Sequence, residues 1–178
     1  RGTLDRRIPL AVRTSFRGAM ECNGNGLCFN FDARSPMCPS MKITGDRTHS
    51  PKGRATLVRE WLRLLSDQGV DPVALEKGLA TQRPSLLGLI EKTRNTWAAR
   101  QGDYDFSHEV KEAMSGCLAC KACSTQCPIK IDVPGFRARF LQLYHTRYHR
   151  PLRDYVVAGV EIYAPLMAKT PKLFNFFL

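Results

Sequence analysis

The sequence predicts an all-α fold in which helices hold two cysteine-bearing loops. Three observations predict it. Apolar residues recur at helical spacing in several separate stretches, the alternation of a half-buried strand is nearly absent, and seven Cys fall into two groups inside segments rich in Gly, Pro, Asn and Ser. The 178 residues are 43% apolar and 24% charged, enough to build one core, and this composition excludes a disordered or fibrous chain. No apolar run reaches the ~20 residues of a membrane span. The longest candidate, 155–168, is interrupted by Glu161 and Pro165.

Residues 1–20 are basic and weakly patterned and read as a connector from an upstream domain. The stretch 22–42 reads as loop wrapped on metal, and 48–54 as a second loop. Positions 57, 58, 61, 62, 64 and 65 carry the apolar stripe of a helix over 55–68, closed by Gly69. Asp71-Pro72 opens a short helix to about Leu79, with Pro at the first helical position. A further helix is predicted over 84–99 through Leu86, Leu87, Ile90 and Trp97. Ser107 is the expected cap of a helix from His108 that delivers Cys117 just after Gly116. Asp132, with Pro134 just inside, starts a long helix to about His149, and Pro151 starts a last one toward Ala168. The domain proper is thus expected over 21–150, with 151–178 leading into a missing C-terminal part. The opening Arg1-Gly-Thr-Leu-Asp5 and the apolar ending 172–178 are both expected to be cuts in a longer chain.

The chemistry sits in the cysteines. Seven is an odd number and no secretory signal precedes them, so a disulfide framework is a poor account. The second group, Cys117-Leu-Ala-Cys120-Lys-Ala-Cys123-Ser-Thr-Gln-Cys127-Pro128, is the full C-x2-C-x2-C-x3-C-P run of iron–sulfur ligation. Three thiolates at spacing three wrap one face of a cluster. The fourth cannot turn back within the same tight loop and in two-cluster proteins serves the other cluster. A zinc site usually pairs C-x2-C with a distant second pair and has no use for the third Cys or the Pro.

The first group, Cys22-Asn-Gly-Asn25-Gly-Leu-Cys28 followed by Cys38-Pro39, is the same frame with Asn25 in place of the middle Cys. An exchange of fourth ligands then gives Cys117, Cys120, Cys123 and Cys38 to a [4Fe-4S] cluster. Cys22, Cys28 and Cys127 are left for a second cluster with three thiolates, either [3Fe-4S] or a [4Fe-4S] with one open corner. Asn25 is a weak, hard ligand and is expected beside the second cluster rather than on its iron. Gly24 and Gly26 are expected to let the backbone approach it. The alternative is one cluster only, with Cys127 completing it in place of Cys38.

Net charge is +11, from 27 Lys and Arg against 16 Asp and Glu. Such a balance suggests nucleic acid, but the basic residues are scattered, no nucleic-acid-binding motif is present, and bound thiolates would absorb part of the excess. No nucleic-acid partner is therefore expected; a nucleic-acid binder would show salt-dependent affinity. Lys121 and Lys130 are placed to offset anionic cluster charge. Leu118, Ala119 and Ala122 are expected to keep the loop dry. His145 and His149, four apart, read more readily as a half-buried face than as a metal pair. His49 reads as a loop-structuring residue.

With these motifs the chain resembles the helical ferredoxin module of the succinate dehydrogenase iron–sulfur subunit, and the iron–sulfur subunits of glycolate oxidase and anaerobic glycerol-3-phosphate dehydrogenase. Through Cys22–Cys28, Met37-Cys-Pro-Ser40 and His49-Ser-Pro-Lys-Gly-Arg-Ala55 it resembles most the fused FAD-linked dehydrogenases of D-2-hydroxy acids, those of D-2-hydroxyglutarate in particular. The resemblance spans about 15–170. It implies an electron-transfer region that receives electrons from FAD in an upstream domain of the same parent chain and passes them to a quinone or one-electron carrier. The parent is then an FAD- and iron–sulfur-dependent oxidoreductase in the cytoplasm, possible peripheral association with the inner face of the membrane included. In succinate dehydrogenase the C-x5-C pair serves a [3Fe-4S] centre, in line with the crossed assignment. A rival reading makes the open corner near Asn25 a Lewis acid acting on a hydroxy acid, as in a dehydratase.

Overall fold

The structure, a computed structural model, describes residues 3–81, 86–169 and 171. Among them there are eleven α-helices and no strand, the all-α architecture that the apolar spacing predicts. Pro84 and the apolar ending 172–178 lie outside the described residues.

Helix α4 (Pro51–Asp67) is the spine. Its buried Ala55, Val58, Trp61 and Leu62 form one stripe, against which α2 (Arg17–Met20), α7 (Phe106–Ser115) and α9 (Val133–Arg147) are laid. α9 contributes Val133, Phe136, Phe140, Leu143 and Tyr144 from a single face. Where the two helices meet, the Trp61 ring stands edge-on to Phe140 at 4.9 Å between centroids, a geometry aromatic quadrupoles favour.

α4 begins at Pro51, four residues before the start that its apolar stripe suggests. Ser50 caps it, its Oγ accepting from the Gly53 N–H at 3.0 Å, and Pro51 occupies the first helical position, where its missing N–H costs nothing. The segment 48–54 is therefore a short 3-10 turn (Arg47–His49) running into a helix, not a loop. The cap of α7 is likewise Asp105, which accepts from the Ser107 N–H, and Ser107 lies within the first turn. α9 ends at Arg147 rather than His149, and the last stretch is two helices, α10 (Leu152–Ala158) and α11 (Val160–Lys169), with Gly159 between them.

The larger departure is at the N-terminus. Far from unpatterned, it forms a 3-10 turn (Thr3–Arg7), α1 (Leu10–Ser15) and α2, and Ile8, Val12, Phe16 and Ala19 are at most 2% exposed. Those positions are one helical stripe, hidden in the sequence by Pro9 and by the density of Arg. The Arg139 guanidinium lies 3.8 Å over the Phe16 ring and pairs with Glu76 on α5 (Pro72–Thr81), tying this segment to α9. The stretch 22–42 is mostly irregular, as expected of it, but holds a 3-10 turn (Leu27–Phe29) and α3 (Pro39–Thr44). The remaining two helices are α6 (Leu86–Arg100) and the single turn α8 (Ala122–Gln126).

Candidate functional site

Cys117 and Cys120 lie on the loop between α7 and α8, and Cys123 lies in α8. Ala119 and Lys121 have φ of 54° and 59°, so left-handed residues alternate with the cysteines. Chains of this form turn successive amides to one side and make anion-binding concavities. Cys38, itself left-handed at φ 45°, faces the loop from the N-terminus of α3. The four cysteines line one cavity together with Lys121, Arg54 and the start of α9 at Val133 and Pro134. Burial pushes the Cys123 thiol up, the Val133 N–H pulls against it, and Cys117 and Cys120 add to the rise. Asp132 holds the α9 terminus in place by accepting from the Gly135 N–H.

A second cavity is lined by Cys22, Cys28 and Cys127 with Gly24, Asn25, Gly26 and Lys52. Burial pushes the Cys28 thiol up, while the Lys52 N–H and the Ser50 hydroxyl lower it and Cys22 raises it again. Asn25 Nδ2 lies 3.8 Å from Cys127 Sγ. Its Oδ1 is occupied by the Leu27 N–H at 3.1 Å, so the amide oxygen is turned away from ligand duty. At Gly24, with φ of 75°, a Cβ would meet the end of the Lys52 side chain at 3.1 Å. Around Gly26 nothing lies within 4 Å of a Cβ, and it is the φ of 84° that requires glycine there.

The seven thiols are thus parted across the two sequence groups: Cys38 stands with Cys117, Cys120 and Cys123, and Cys127 with Cys22 and Cys28. Among the described residues no three or more His, Cys, Asp or Glu gather closely enough to hold a single metal ion. The thiols surround volumes instead of converging on a point, and soft sulfur donors around a cavity fit an iron–sulfur cluster.

Between the cavities stands the first turn of α4. Pro51 lines both. Lys52 faces the second, and Arg54 the first. Arg54 is 1% exposed; its Nε donates to the Ala113 carbonyl at 2.7 Å, Nη2 to Ser40 Oγ at 2.9 Å, and Nη1 lies 3.8 Å from Cys38 Sγ. The sequence alone gives Arg54 no place at either site. A signal was available: cations are disfavoured in the first turn of a helix, where the dipole is positive, so two of them at 52 and 54 call for a nearby anion.

Other expectations are revised. Leu118 is 68% exposed and Ala119 exposed, so the first loop is open to solvent on its outer side, with Cys120 also at the surface. Lys121 is exposed and precedes α8, and Lys130 is exposed with φ 55°. His145 is buried in α9, but His149 lies beyond the helix end, its N–H donating to Thr96 Oγ1, so the two are not a helical pair. The His49 carbonyl lies 3.4 Å from Cys38 Sγ, and its Nδ1 is buried without a partner.

A family described as "4Fe-4S dicluster domain" matches residues 18–131, the span that carries all seven cysteines. The chain belongs to this family. It is also similar along its whole length to proteins named D-2-hydroxyglutarate dehydrogenase, at 78% identity in Escherichia coli (strain K12) and 77% in Pantoea ananatis. The corresponding protein of Haemophilus influenzae is 56% identical over 99% of the chain. The chain spans only 17–18% of the length of these relatives and so corresponds to an iron–sulfur region within much larger proteins. No solved structure matches it. Among the described residues no helix is long and apolar enough to cross a membrane.

Proposed function

We propose that this chain is the iron–sulfur electron-transfer region of a flavin-linked D-2-hydroxy-acid dehydrogenase, the substrate being D-2-hydroxyglutarate as in the names of its relatives. Cys38, Cys117, Cys120 and Cys123 hold a [4Fe-4S] cluster; Cys22, Cys28 and Cys127 hold a second, [3Fe-4S] or a [4Fe-4S] with an open corner. FAD is held upstream in the same parent chain, and the electrons leave for a quinone or a one-electron carrier in the cytoplasm or at the membrane's inner face. The observation that carries this reading is the exchange of Cys38 and Cys127 between two thiol-lined cavities.

When bound, such clusters supply the one-electron steps by which a two-electron donor serves a one-electron acceptor. The chain's own part is to hold and tune them. The Val133 N–H at the start of α9 and the Lys52 N–H at the start of α4 each face a cysteine sulfur, where the positive end of a helix favours negative charge. Leu118 and Cys120 leave the first site close to the surface, where an acceptor has access. Lys52 and the Asn25 amide enclose the second. Iron and sulfide counts with EPR on the intact protein, purified without oxygen, test the proposal: two distinct centres and seven or eight irons are expected. Four irons in one centre, or zinc, would overturn it.

A further inference from the structure

The Arg54 charge is buried and, among the described residues, no carboxylate pairs with it. A lone buried cation is costly and is tolerated only when an anion compensates it. Several other partly buried arginines pair with carboxylates: Arg59 with Asp5, Arg63 with Glu60 and Asp67, Arg139 with Glu76. Arg54 instead spends two of its donor groups on neutral oxygens, Ala113 O and Ser40 Oγ, which fix the guanidinium plane without neutralising it. The third, Nη1, is left facing Cys38 Sγ at 3.8 Å on the wall of the first cavity.

Resting on the reading that clusters occupy these cavities, we propose that Arg54 is the counter-charge of the first cluster and raises that cluster's reduction potential relative to the second. Each one-electron reduction adds a negative charge to a site that already carries several. A desolvated cation a few ångströms away stabilises the reduced form more than the oxidised one, because little solvent screens the interaction. Lys52, which lines the second cavity and not the first and whose Nζ lies beside Gly24, does not stand in for it. The asymmetry matters because Pro51 is shared by both walls: one helical turn presents a buried cation to one site and a more accessible one to the other, and so biases electrons toward the first, surface-facing site.

The test is an EPR-monitored redox titration of the intact holoprotein with Arg54→Gln and Arg54→Lys. In Arg54→Gln the first cluster's potential is expected to fall by about the equivalent of tenfold in its reduction equilibrium, 59 mV for a one-electron couple, while the second cluster does not move. Arg54→Lys, which keeps the charge, is expected to recover most of that shift. Loss of the first cluster from Arg54→Gln but not from Arg54→Lys supports the proposal too, since the charge alone distinguishes them. Unchanged potentials in Arg54→Gln with full iron content overturn it, as does loss of the first cluster from both variants, which would make Arg54 a strut for the Cys38 loop. Absence of any cluster in the unmutated protein would instead overturn the underlying reading.

Discussion

Asn25 Nδ2 stands 3.8 Å from the sulfur of Cys127, although 102 positions separate them in the chain. The residue that replaces the middle cysteine of the first loop therefore faces the one cysteine that the second loop sends across. The missing thiolate of the second site is missing at a place where a side chain of suitable length already points.

Asn25→Cys is accordingly expected to give the second site four thiolates. Its iron should then resist a chelator about as well as the first cluster's, and any [3Fe-4S] EPR signal should disappear. The check is the time course of iron release followed beside the EPR spectrum. An unchanged rate of release would mean that position 25 does not face the cluster.

Gly53 is required by space. A Cβ there would lie 2.3 Å from the Arg47 carbonyl oxygen and 2.6 Å from that of Thr48, both backbone atoms with little room to yield. Gly53→Ala should cost at least the ~1–3 kcal/mol of an overpacked core. It should also deplete iron from both sites at once, because the turn that must shift forms part of both walls. Denaturation midpoints and iron content measured on the same preparation check this.

Two tyrosines set the alkaline limit. Burial first, and then the nearby Asp105, push Tyr144 up to about 12. Burial and the hydrogen bond that Tyr148 donates to Asp105 at 2.6 Å push Tyr148 up to about 12 as well. Both stand above the ordinary ~10 of a free phenol, so the fold favours the protonated form. The stability they contribute is fully present below pH ~10 and is lost as pH rises toward ~12. Titration of tyrosinate absorbance should show Tyr144 and Tyr148 titrating late, with Tyr104 also raised by its hydrogen bond to Glu109, and Tyr148→Phe should remove one late group and flatten the alkaline loss of stability.

The two cysteine-bearing loops of a dicluster domain were legible because ligand spacing is local chemistry. A C-x2-C-x2-C loop cannot fold its fourth thiol back on itself, and that constraint holds whatever the helices do. The stripe of α4 was legible for a similar reason, as a long face with one period. Short elements were not. Val12 and Phe16 lie on helices of six and four residues or at their junction, too brief to show a period among so many arginines. The exposure of Leu118 was misread because an apolar side chain in a loop has no periodicity to say which way it faces. Arg54 was missed because 48–54 was read as loop, which hid its place in a first helical turn, and its partners, Cys38, Ser40 and Ala113, come from two other elements.

The most direct test of the crossed arrangement compares Cys38→Ser with Cys127→Ser in the intact protein by anaerobic EPR. Cys38→Ser should abolish or alter the four-thiolate cluster and leave the other signal intact, and Cys127→Ser should do the reverse. If Cys127→Ser instead removes the cluster of Cys117, Cys120 and Cys123 while Cys38→Ser leaves it untouched, the loops do not exchange their fourth ligands and the account fails.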